Sequence, residues 1–125
     1  MPIKLRWNNS EKTIVRQIFS HTFQIEDWYS AVTQMSIMLR DTQHPVDVIM
    51  DLTALDQFPC EWINVLGQHS PNYHTMTRQL IVIVDPCHVK PMQVLLDVVT
   101  SNSVRVVSSE AKATQVLVDN ALVAV

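Results

Sequence analysis

Polar and apolar residues alternate from the start of the chain: Ile3, Leu5 and Trp7 fall on one side, Lys4, Arg6 and Asn8 on the other. A period of two predicts a half-buried strand over residues 3–8. A turn over "NNSEK" (8–12) and the β-branched, aromatic stretch "TIVRQIFS" (13–20) complete a hairpin. The spacing then changes to three and four. Apolar residues at 25, 28, 31, 32, 35, 38 and 39 draw one stripe along a helix, with Ile37 alone off it. Gln24, Glu26 and Asp27 suit the positive N-terminal end of that helix, Arg40 its far end, and Pro45 forbids continuation.

"VDVIMDL" (46–52) and "RQLIVIV" (78–84) are almost wholly apolar, the pattern of strands covered on both faces. Between them the spacing predicts a short helix at about 60–66, ended by Gly67, the only glycine, and a loop over 69–77. A helix follows at about 90–101, with Pro91 in its first turn, then a strand "VRVV" (104–107). Ser108 or Ser109 caps a last helix with the apolar face Ala113, Val116, Leu117 and Ala121. The order β-β-α-β-α-β-α-β-α predicts an α/β fold over a single domain, 1–125. Its sheet is mainly parallel, with four or five strands, helices largely on one face and a hairpin at the N-terminus. The tail "ALVAV" (121–125) then has two places to pack: over its own core, or against a second subunit in a homodimer.

Composition narrows the function more than the fold. Apolar residues make up 47% and charged residues 17% of 125, an ordinary globular balance with room for a sizeable core. The net charge of −3 and the lack of a basic stripe argue against nucleic acid. The longest apolar runs, "LIVIV" (80–84) and "ALVAV" (121–125), are five residues each, whereas a membrane span needs about 20. The start "MPIKLRWNNSEK" has no apolar signal-peptide core, and two distant cysteines read as reduced thiols, so a cytoplasmic setting is expected. A single glycine excludes a glycine-rich phosphate loop. No Ser-His-Asp or Cys-His arrangement assembles, so the chain reads as a binding protein rather than an enzyme, and no cofactor is expected.

One stretch, "VDVIMDLTALDQFPCEW" (46–62), carries a resemblance. With the hairpin, the helix holding "EDWYSAV", the strand "LIVIVD" and the end "VRVVSSEAKATQVL", it resembles the STAS-like fold typified by the anti-sigma factor antagonists, over residues 3–122. In that family a serine or threonine about nine residues after the strand's terminal aspartate is phosphorylated by a partner kinase. Counted from Asp51, that place holds Cys60. Pro59 stands where an aspartate would precede it, and Trp62 where a small glycine is usual. The resemblance therefore implies the architecture and a protein partner, without the phosphorylation. The recognition surface it implies is the turn Asp56, Gln57 and Phe58 with the helix start at Cys60 and Trp62.

Ligands of open parallel sheets sit beyond the carboxyl ends of the strands. Cys60 leaves one buried strand there, and Asp85, Cys87 and His88 leave the other. Two thiols with an imidazole and a carboxylate suit zinc or a reversible disulfide, so Cys60, Cys87 and His88 form an alternative metal or thiol site. Against it stand the absence of any C-x-x-C pair and the ordinary use of cysteine as a small core residue. An apolar ligand at the same strand ends is the other alternative. His69 and His74 share a loop whose spacing defines no geometry. Asp47 is a charge inside an apolar strand, and Asp51 is expected to bond amides near Thr53. Trp28 and Trp62 read as core or interface anchors.

Overall fold

The computed structural model describes residues 2–59, 61–62, 65, 77–99 and 104–123. The hairpin consists of β1 (Ile3–Trp7) and β2 (Ile14–Thr22), followed by α1 (Ile25–Leu39) and β3 (Val46–Gln57). Next come β4 (Thr77–Ile83), a 3-10 turn (Pro86–His88), α2 (Val89–Val99), β5 (Val104–Val107) and α3 (Glu110–Val123). The strands lie in sequence order across one sheet. β1 and β2 are antiparallel; β2, β3, β4 and β5 run parallel. Trp62 N–H donates to Pro59 O at 3.0 Å and Val65 N–H to Glu61 O at 3.1 Å, which are helical bonds. The remainder of the helix expected over 60–66, with Gly67 and the 69–76 loop, lies outside the described residues.

Parity along β3 explains the core. Val46, Val48, Met50 and Leu52 belong to one cluster with Leu80 and Val82 of the neighbouring strand and Val84 just after it, while Ile49 joins Ile81 and Ile83 in another. Successive side chains of a strand point to opposite faces, so the two clusters are the two faces of one sheet. The first face takes Trp28, Ala31, Met35 and Leu39 of α1 and Leu96 of α2. The predicted stripe at 28, 31, 35 and 39 is this contact, and Ile37 is 55% exposed. Sequential strand order with right-handed crossovers puts α1 and α2 on that side.

α3 follows the last strand and is no crossover, so it is free to return across the other face. There Ala113 is buried, and Val116 and Leu117 pack at its edge. The second face, expected to carry few helices, thus receives the C-terminal helix. Ser109 is the residue that caps it, its Oγ accepting from Lys112 N–H at 3.2 Å.

Asp47 and Asp51, the two acidic residues in the covered part of β3, carry odd numbers and so fall on this second face. Each has an arginine. Arg78 is the extra residue of a bulge, since Val46 pairs with Thr77 and Asp47 with Gln79. From there its Nε and Nη2 donate to the buried Asp47 carboxylate at 2.9 and 2.6 Å. Hydrogen bonding to Asp47 holds the Arg78 pKa above its ordinary value, against the desolvation that would lower it. A raised folded-state pKa on a cation adds stability below the unfolded value and loses it only in strong alkali. Arg16, also buried, has its Nη1 3.1 Å from Asp51 Oδ2 and 2.6 Å from Glu110 Oε1. Its Nη2 reaches Glu110 Oε2 at 2.7 Å and its Nε reaches Asn8 Oδ1 at 3.0 Å. One guanidinium thereby ties the hairpin, β3 and the first residue of α3 together.

The packing predicts a contrast measurable by urea unfolding. Ile81→Ala removes a fully buried side chain and is expected to cost about 2–5 kcal/mol. Ile37→Ala removes an exposed one and should change stability by less than about 0.5 kcal/mol.

Candidate functional site at the strand carboxyl ends

β3 runs five residues beyond the expected end at 52, to Gln57. The extension is held by the end of β2, where Ser20, His21 and Thr22 pair with Ala54, Leu55 and Gln57. The register shifts between Ile18 and Ser20 and again between His21 and Thr22. His21 sits there at φ 60°, a left-handed conformation that costs a non-glycine residue about 1–2 kcal/mol. Its Nδ1 lies 3.7 Å from Asp56 Oδ2, at the exposed rim. Asp51 does bond near Thr53: its Oδ1 accepts from the Thr53 amide at 3.1 Å and hydroxyl at 2.6 Å. It does so inside the lengthened strand, not in a turn.

Between this rim and the start of α2 lies a cleft of about 250 Å³. β3 and the residues after it supply Leu52, Leu55, Asp56 and Phe58. Val84 and Asp85 follow β4, and His88, Pro91, Met92 and Leu95 come from the 3-10 turn and α2. The lining is mostly apolar, with Asp56, Asp85 and His88 as its ionisable groups. Phe58 is 37% exposed and Leu95 46%.

The expected recognition residues separate on this geometry. Asp56, Gln57 and Phe58 are all exposed at the rim. Cys60 lies outside the described residues. Trp62 corrects the expectation: it is fully buried and cannot meet a partner. Its ring centre is 5.6 Å from that of Phe19, 5.3 Å from Phe23, 5.9 Å from Trp28 and 5.4 Å from Phe58. A large amphipathic ring gains most from burial among other rings at offset or edge-on angles, and here four surround it. Trp62 is therefore the support on which the exposed Phe58 rests.

Of the alternative thiol and metal site, Cys60 lies outside the described residues, and Cys87 and His88 are neighbours. β3 and β4 are neighbours, as that reading required. Cys87 is exposed, its Sγ 3.6 Å from His88 Nδ1. It lines a separate depression with Lys90, Ser108 and Lys112, while His88 and Asp85 line the cleft. Among the described residues no group of three or more His, Cys, Asp or Glu side chains is placed to hold a metal ion. His69 and His74 are outside the described residues.

No protein-family model matches the sequence, and neither does any of the curated proteins. The fold does have a solved counterpart. It is the crystal structure of an uncharacterised protein from the DUF3478 family, with a SpoIIAA-like fold, from Shewanella loihica PV-4. The two superpose with a TM-score of 0.64 over 90% of each chain, at 13% sequence identity. Likeness at that identity establishes the fold, which is SpoIIAA-like and so STAS-like. It establishes no activity.

The placement of the two aromatic residues gives a direct test. Trp62→Ala is expected to lower stability by about 3–5 kcal/mol in chemical unfolding. Phe58→Ala, at the exposed end of the same stack, should cost clearly less. Equal costs would place Trp62 outside the core.

Proposed function

We propose that this chain is a non-enzymatic regulatory module that works by binding a protein partner, in the manner of the anti-sigma factor antagonists but without phosphorylation at residue 60. The observation that carries the reading is the apolar cleft at the strand carboxyl ends, rimmed by the exposed Phe58 and Leu95. Asp56, Gln57 and Phe58 form the contact rim in this proposal, and Cys60 continues it. Exposed aromatic and aliphatic groups beside a concave apolar floor suit the anchor side chains of a partner. The proposed setting is the cytoplasm. Among the described residues no helix is long and apolar enough to cross a membrane.

The same cleft favours a second reading, a pocket for a small apolar ligand. Its volume of about 250 Å³ falls below the usual range of about 300–1,000 Å³ for such sites. One or two inserted side chains fill it more naturally, so the protein partner is preferred.

The test is capture from native lysate by the tagged full chain and by its Leu95→Gln variant, with the bound proteins identified by mass. The proposal expects a protein retained by the parent chain and at least tenfold depleted with the variant. Phosphatase treatment beforehand should not change the recovery. Equal recovery by both chains contradicts the proposed surface. Recovery abolished by phosphatase, with phosphate found on Thr53, contradicts the phosphorylation-independent mode. Recovery of an untagged copy of the same chain alone makes the partner a second subunit.

A further inference from the structure

We infer that the partner segment entering the cleft carries a positive charge beside its apolar anchor: a lysine- or arginine-flanked hydrophobic side chain. This rests on the docking reading above and adds the chemistry of the occupant.

Some carboxylates of this chain are paired with arginines inside the fold, and others face water. Asp47 is matched by Arg78, and Asp51 and Glu110 by Arg16. Those three are structural, each paired with a guanidinium within the fold. The two carboxylates lining the cleft are different. Asp85 is exposed and makes no ion pair among the described residues. Among the described residues Asp56 has the His21 imidazole alone as an ionic neighbour, 3.7 Å away, with both side chains largely in water.

Among the described residues that line the cleft there is no lysine or arginine, and His88 is the one basic group. Lys90 and Lys112 face the separate depression beside Cys87. The opening thus has an apolar floor, formed by Leu52, Val84 and Met92, beneath a predominantly acidic edge. A carboxylate or phosphate headgroup would meet like charge there. An ammonium or guanidinium beside an apolar anchor meets opposite charge while its aliphatic stem lies along the apolar wall. Exposed pairs of this kind are individually weak and screened by salt, so two of them shift affinity roughly 3- to 10-fold.

Three nine-residue peptides test this. They share a central phenylalanine–leucine pair and differ only in flanking lysines, glutamines or glutamates. Each is titrated into the isotope-labelled full chain at low salt and followed by the NMR shifts of cleft residues. The lysine peptide should bind roughly 3- to 10-fold more tightly than the glutamine peptide, and the glutamate peptide more weakly still. The spread should collapse at high salt. The double variant Asp56→Asn, Asp85→Asn should erase the advantage of the lysine peptide over the glutamine peptide. Both positions are exposed, and circular dichroism checks the fold.

Equal affinities for the lysine and glutamine peptides, or tighter binding of the glutamate peptide, would overturn the charge assignment while leaving the docking surface standing. Binding by none of the three, or binding indifferent to Leu95→Gln, would overturn the docking reading itself. Butylamine binding as tightly as the lysine peptide would overturn the assignment to a protein segment.

Discussion

The structure depends on one strand being covered twice. From Val46 to Leu52, β3 places alternate side chains in two separate apolar clusters, one under α1 and α2, the other under α3. An apolar side chain fully withdrawn from water contributes roughly 1.5–3 kcal/mol, and this stretch supplies Val46, Val48, Ile49 and Met50 to the interior. A register slip of one residue would exchange the faces and bring both buried-face acids into the larger cluster. The arginine pairs of Asp47 and Asp51 therefore act as register marks as well as charge partners. Removing one partner would leave a poorly solvated charge behind.

Beyond Leu52 the same strand loses its cover and becomes the rim of the cleft. This change along one continuous element positions the site. The buried half fixes the direction of the strand, and the exposed half presents Asp56 and Gln57 to water. Phe58 comes next and is seated on Trp62, which is locked among Phe19, Phe23 and Trp28. A surface contact residue is thereby held by the core without belonging to it. Preorganised aromatic groups lose little freedom on binding, which is what an affinity-bearing contact needs.

Much of this was legible in the chain. The element order, the parallel sheet and the stripe of α1 follow from periods of two and of three to four, and they agree with the SpoIIAA-like fold. What escaped depends on contacts distant in sequence. The last part of β3, "TALDQ", has poor strand propensity and is held by pairing with the end of β2. Trp62 stands at the start of a helix too short to define a stripe, so spacing could not tell rim from core. The side on which α3 packs is also not a local property, although its apolar face, Ala113, Val116 and Leu117, was readable. The cleft is assembled from β3, the end of β4 and α2, and no one segment announces it. One signal existed: α2 is apolar on more than one face, and Val94 and Leu95 are the exposed surplus.

Amide hydrogen exchange on the native protein tests the central claim most directly, because it reads cover and opening residue by residue along β3. Doubly covered strands should exchange only by global unfolding, and a strand end in water by local opening. The account expects Val48, Ile49 and Met50, with Ile81 and Val82 beside them, to be the slowest amides of the chain. Leu55, Asp56 and Gln57 should exchange at least roughly a hundredfold faster. Uniform protection from Val46 to Gln57, or rapid exchange at Val48 to Met50, would contradict a buried strand that delivers an open rim.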